Sequence, residues 1–316
     1  VGQAGRTAII AESTSTNNGQ SSMHLRTRNT SNAQLIAMTI DGNQNVGIGI
    51  TNPNSTYKTH IKSSSFGLLR LETTLTGADA PYLEFYHNST SPADNDQLGI
   101  IQFKGKNTNA DGSPNDDHTY AYMMVKSTDV SDGSEDGDIL FATAGGGVTA
   151  ERLRITSTGI VNAPSQAGFY ARMNNTKSSV MGGGASYYTV PFDTDSGSIC
   201  YDTHNSYNTG TGLYTVPTGG TGYYMLATAV CLSSNVGGRG GECWFVQGGN
   251  RYFFDRRFMT STSGTITGFY GTSIIYLSAG QSIGVQGFIS GGNQNVDVQG
   301  AGASDHITWF TARKIA

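Results

Sequence analysis

Six histidines, three cysteines and 23 acidic residues are the groups in this chain that could bind metal or move protons. Their spacing argues against most such chemistry. His24, His60, His87, His118, His204 and His306 stand singly, with no H-E-x-x-H and no paired spacing. Cys200, Cys231 and Cys243 lack the C-x-x-C spacing of a zinc site, and an odd count does not suit a disulfide scaffold. They are expected as buried thiols in strands, where free cysteine behaves as a small hydrophobe. A Cys231–Cys243 bridge is the alternative. The acidic run at 129–138 could hold Ca²⁺ through carboxylate oxygens. It fits neither the EF-hand loop nor the G-G-x-G-x-D repeat, and is read as a solvated turn between strands. Asp193 and Asp195 could form a glycosidase pair or part of a metal site. Their i, i+2 spacing does not establish a sugar-sized gap, so they are read as a strand end. The glycine clusters at 145–147, 182–184 and 237–241 lack the Lys-Ser/Thr or following helix of a phosphate loop. No enzyme, resident metal or cofactor is expected.

Binding chemistry is better represented. One set of candidates is the loop 204–208, with His204 and Tyr207; the other is Arg251, Tyr252, Arg256 and Arg257. Aromatic faces stack on sugar rings, and guanidinium forks grip carboxylate or phosphate. Those properties suit a bacterial surface polysaccharide or lipopolysaccharide. They also suit a subunit interface, where Tyr and Arg are enriched. Trp244, between Cys243 and Phe245, is read as core, and Trp309 as core or subunit axis.

The elements that must carry these residues read as strands. The 316-residue chain has 43 Gly, 16 Tyr and 13 Phe but only 7 Pro and 13% charged residues. That mix suits short strands joined by tight turns. No window keeps the helical 3.6-residue period over ten or more residues with caps. A net charge of −4 argues against nucleic acid, which demands a basic face. No apolar run approaches the roughly 18–20 residues of a membrane span. The chain starts at Val1 rather than Met, which reads as a processed product or a fragment.

Residues 213–230 are read as strand, Pro/Gly turn and strand, with Pro217 ending the first. At 37–53 a short strand meets Asp41-Gly42, then Val46-Gly47-Ile48-Gly49 alternates apolar residues with glycine. The alternation predicts close approach of another backbone. A weaker copy of this unit lies at 153–164, the pattern of a repeated array. Between the copies, strands are expected at 67–72, 82–86, 99–103, 120–125 and 138–142. Three segments follow: 1–57, a β-rich 58–164, and 165–316.

The sequence 213–224 resembles the central signature of the C1q-like family, in the C1q/tumour-necrosis-factor jelly-roll group. Residues 190–193, 201–202, 273–285 and 307–310 fall in the order of that family's other strands, with Gln281 where the family has an acid. The 46–53 unit, and the order of strands up to 159, resemble segments of bacteriophage tail fibres. The two resemblances imply an all-β chain: an elongated trimeric shaft carrying a C1q/TNF-like jelly-roll head. They imply a homotrimer joined to other virion tail proteins, assembled in the host cytoplasm and acting outside the cell. The expected role is non-catalytic attachment to a host glycan through the head. The alternative is a terminal domain that only trimerises the fibre. No self-cleaving chaperone is expected, because the head occupies its place.

Overall fold

The computed structural model describes residues 8–13, 21–31, 33–109, 111–182, 187–234, 239–259, 265–290, 294–301 and 307–316. His306, Gly183, Gly184, Gly237 and Gly238 lie outside the described residues. The chain divides into two compact units, 1–84 and 85–316. Every regular element among the described residues is a strand.

The first unit holds one sheet of β1 (Ala8–Ser13), β2 (Ser21–Arg28), β3 (Gln34–Ile40), β4 (Val46–Ile48) and β5 (Thr59–Ile61), in chain order. All pairs are antiparallel except β4–β5. The β3–β4 turn is built by Asp41. Its carboxylate accepts the Asn43 and Asn45 amides, both at 2.9 Å. The left-handed residue of this turn is Gln44 (φ 64°), not Gly42. Gly47 is needed for space: a Cβ there would lie 2.7 Å from the Ile50 carbonyl oxygen. The backbone that approaches Gly47 is thus the chain's own next turn.

The second unit opens with β6 (Gln97–Thr108), β7 (Pro114–Asp129), β8 (Asp136–Gly145), β9 (Val148–Ile155) and β10 (Val161–Asn162), an antiparallel meander. The β9–β10 turn shares three hydrogen bonds with the β3–β4 turn. Thr156 N donates to Ile160 O (3.0 Å) and Gly159 N to Thr156 O (2.8 Å). Asp41 N to Asn45 O (3.0 Å) and Gln44 N to Asp41 O (2.9 Å) are the equivalents. The Thr156 hydroxyl caps Ile160 N as Asp41 caps Asn45. The acidic run lies in the β7–β8 turn. Asp129 accepts the Ser131 amide (2.8 Å), and buried Asp138 pairs with Arg154 (2.6 Å). The predicted strands at 99–103, 120–125 and 138–142 lie in β6, β7 and β8. Those at 67–72 and 82–86 are not strands. Their apolar side chains, Leu68, Leu69, Leu71, Tyr82, Leu83, Phe85 and Tyr86, are each half exposed or more. Among the described residues no strand pairs with them.

The remainder is a two-sheet sandwich. Its strands are β11 (Gly168–Arg172), β12 (Lys177–Gly182), β13 (Tyr188–Thr189), β14 (Tyr201–Asp202), β15 (Tyr207–Asn208) and β16 (Leu213–Thr215). After these come β17 (Gly222–Ser234), β18 (Arg239–Gln247), β19 (Asn250–Met259), β20 (Thr265–Leu277), β21 (Ser282–Ile289), β22 (Gln294–Val298) and β23 (Trp309–Lys314). One sheet runs β14-β11-β23-β17-β20, with β22 and β12 beside the far end of β17. The other runs β15-β16-β21-β18-β19, with β13 on β21. From β16 on, the chain changes sheet between β16 and β17, β17 and β18, β19 and β20, β20 and β21, and β21 and β22. The first long strand, β11, pairs with the last, β23. That order is a C1q/TNF-like jelly roll, which pairs its terminal strands instead of leaving them as free edges.

The 213–224 stretch is therefore a bridge between sheets rather than a hairpin. Pro217 ends β16, and Gly220 N returns to its carbonyl (2.9 Å). The Tyr224 hydroxyl then donates to Gly220 O at 2.8 Å. At the β20–β21 bridge, the Gln281 side-chain oxygen accepts the Ser278 amide (2.8 Å). Phe169 centres the core, stacked on Tyr207 (4.6 Å) and Tyr214 (4.7 Å) and edge-on to Phe310 (5.0 Å). Each such pair adds about 0.5–1.5 kcal/mol beyond the area it buries.

Candidate functional site

Strand pleating decides which of the candidate residues can meet a ligand. In β18, Cys243 and Phe245 face the core and are fully buried, so Glu242 and Trp244 face outward. The register then carries that parity to both neighbours. Glu242 lies opposite Phe288 of β21 and Arg256 of β19. Trp244 lies opposite Gln286 and Phe253. Between these pairs β19 carries a bulge, so Phe253 and Arg256 share one face despite odd spacing. The supernumerary residue, Phe254, turns inward onto Phe245 (4.8 Å).

The outcome is a ring-paved outer face. Tyr187 and Phe253 flank Trp244 at 5.4 and 6.3 Å between ring centroids, and Phe288 lies 5.4 Å from Tyr187. Trp244 is only 8% exposed beneath them, while Tyr187 is 45% and Phe253 55% exposed. Trp244 is thus sealed by surface rings rather than by the core. The Arg251 guanidinium sits 3.9 Å over the Tyr187 ring, and Arg256 lies 5.9 Å from the Phe253 ring. Arg256 also pairs with Glu242. Behind the face, burial pushes the Cys243 thiol far up, which keeps it protonated and inert.

The other predicted residues fare differently. Arg257 pairs with Asp255 (2.9 Å) and lies 5.6 Å from the Tyr270 ring, towards the other sheet. Tyr252 packs on the core and its hydroxyl donates to Gln247 (2.9 Å). His204 is exposed beside an open cleft of about 740 Å³ shared with Arg152 and Lys314. Its Nδ1 meets the Thr203 hydroxyl at 2.9 Å. Tyr207 needs correction as a ligand residue. It is 5% exposed, its ring lies on Phe169, and its hydroxyl accepts the Phe192 amide at 3.1 Å. A polar cleft of about 760 Å³ runs past the backbone of this loop, lined by Asn205, Asn208, Pro217 and Thr218. Asp193 is a structural anchor. Burial pushes its carboxyl up, but hydrogen bonds from Asn174 and Asn175, with Lys177 beside it, outweigh that and hold it low. Among the described residues, no three His, Cys, Asp or Glu side chains are grouped to hold a metal.

Of the residues on this face, the sequence singled out Arg251 and Arg256 and passed over Tyr187, Glu242, Phe253, Gln286 and Phe288. A signal existed. The Gly248-Gly249 turn folds β18 onto β19, which sets Arg251 and Phe253 beside the outward residues Val246 and Trp244.

A second exposed surface lies on the other sheet. On β17 and β20, Tyr223 faces Tyr276 and Met225 faces Ile274 across the ladder. All four are about half exposed or more, as is Tyr270 further along. These side chains form a contiguous exposed apolar stripe.

No protein-family model matches the sequence, and no curated protein matches it. Several solved structures align with about half of it. Murine APRIL is 17% identical over 48% of this chain and 99% of its own, with a TM-score of 0.32. The globular domain of zebrafish complement 1qA is 16% identical over 48% of this chain and 98% of its own, TM-score 0.33. The carboxy-terminal domain of the bacteriophage T5 L-shaped tail fibre is 11% identical over 51% of this chain and 73% of its own, TM-score 0.40. The jelly-roll assignment for the head rests on the strand order itself.

Proposed function

We propose that this chain is part of a homotrimeric bacteriophage tail fibre whose head attaches to a host-surface glycan without chemistry. The paved face of Tyr187, Trp244 and Phe253 between two arginines carries the reading. Ring faces take the C–H side of a pyranose, while Arg, Glu242 and Gln286 supply directional hydrogen bonds. The partners are then a cell-surface polysaccharide or lipopolysaccharide and the other virion tail proteins. The full chain should bind host cells, and Tyr187→Ala with Phe253→Ala should weaken binding at least tenfold, about 1.4 kcal/mol. Equal binding by wild type and double variant, with melting unchanged, sinks the assignment.

The rival reading is a domain that only trimerises and registers the fibre. The stripe of Tyr223, Met225, Ile274 and Tyr276 favours self-association and is compatible with both readings. The doubly built turn and the unpartnered segments at 67–72 and 82–86 support a shaft completed by neighbouring chains. Ile274→Asp should dissociate the trimer in native mass spectrometry. A trimeric wild type that binds no host cell or extracted glycan leaves only the structural role.

A further inference from the structure

The three arginines of β19 are not equivalent. Arg256 is neutralised by Glu242 and Arg257 by Asp255. Arg251 has no carboxylate within ion-pair distance among the described residues. Among the described residues its side chain makes one hydrogen bond, a long one, Nε to Gln286 Oε1 at 3.5 Å. Gln286 is itself steadied by Thr189, its Nε2 donating to the hydroxyl at 3.1 Å. The guanidinium lies close over the Tyr187 ring. The side chain is exposed, and its Nη atoms make no hydrogen bond or ion pair among the described residues. A guanidinium stacked this way is pre-oriented and loses little freedom when it forks onto a planar anion. The chain as a whole carries −4, so a bulk field cannot account for polyanion binding, and selectivity must come from local geometry.

We infer that this face selects an acidic sugar, its ring on Phe253 and its carboxylate on the Nη pair of Arg251, which Tyr187 holds in place from beneath. The inference rests on the glycan reading above and narrows it to carboxylated saccharides such as uronic or keto-sugar acids. Such sugars occur both in capsules and in lipopolysaccharide cores.

The test uses the full-length chain on immobilised bacterial capsular polysaccharides and lipopolysaccharides. Each is presented native and after carbodiimide–borohydride reduction of its carboxyl groups to neutral alcohols. Wild type should bind a carboxylated polysaccharide roughly 10- to 100-fold more tightly than its reduced form, the range of a charge-assisted fork. Whether the capsular or the lipopolysaccharide arm responds identifies the source. Arg251→Gln should erase the preference for native over reduced glycan, and Arg251→Lys should restore only part of it, because an ammonium cannot fork. Arg251 is exposed, so both variants should keep the wild-type melting curve. Equal wild-type binding to native and reduced forms overturns the inference and leaves the glycan reading standing. An unchanged preference in Arg251→Gln overturns it as well. No binding to any glycan by an intact trimer overturns both.

Discussion

Tyr207 and Tyr214 stack on the same Phe169 ring, yet the same substitution should act oppositely at the two positions. Tyr207→Phe keeps the stack and removes the hydroxyl that accepts the buried Phe192 amide. That amide has no water to turn to, since Phe192 is fully buried. Leaving a buried donor unmet costs about 1–3 kcal/mol. For a domain of this size the loss lowers the melting temperature by roughly 2–4 °C per kcal/mol, or about 2–12 °C. The buried Tyr214 hydroxyl, in contrast, makes no hydrogen bond of ordinary geometry and has only a weak interaction with the Tyr224 hydroxyl. Tyr214→Phe removes a poorly met group and keeps the ring contact, so melting should hold or rise. The assay is circular dichroism melting of the full chain at one concentration and scan rate, with host binding measured well below the transition. Tyr207→Phe should melt lower and bind normally. Normal melting with weakened binding would return Tyr207 to a surface site. An equal fall for both variants would refute the hydrogen-bond account.

Two further outcomes follow from the buried polar groups. Asp193, held low despite burial by Asn174, Asn175 and Lys177, contributes stability above its unfolded value of 3.8 and loses it as pH falls through its lower folded value. Asp193→Asn should therefore melt lower at neutral pH, by about 1–3 kcal/mol of stability, with the gap closing on acidification; a gap that is constant with pH contradicts this. Cys200, Cys231 and Cys243 are free and buried, and burial raises each thiol. Iodoacetamide should leave the folded chain unlabelled and mark three sites after denaturation, as mass spectrometry would show; a Cys231–Cys243 disulfide, or rapid native labelling, would contradict it.

Much of this architecture is legible in the residues because it is local. Asp41 and Thr156 each place a short acceptor at the head of a five-residue turn, and both turns form, although the first takes its left-handed residue at Gln44 and not at Gly42. Pro217 ends β16, and the run after Gly222 forms a strand. What pairs with what is not local. Residues 82–86 have the composition of a strand, but composition does not supply a partner, and none pairs with them among the described residues. The position of Tyr207 in a polar loop suggested exposure, whereas its ring returns beneath β11. The outer face was half visible because Arg251 and Arg256 advertise themselves by charge. Their aromatic companions were not, since the bulge at Phe254 breaks the alternation from which a shared face would be read.

That bulge also bears on how the molecule can vary by descent. β19 is the last strand of its sheet, so no further strand in that layer has to follow a change in its phase. Loss or gain of one residue between Asn250 and Met259 would exchange the outward and inward sets on one side of the change. The register of β18 on β21 would stay as it is. A lineage can therefore alter the chemistry of this face by changes in length as well as by replacing one side chain at a time. Homologues should differ in the length of this edge strand more than in the strands beneath it.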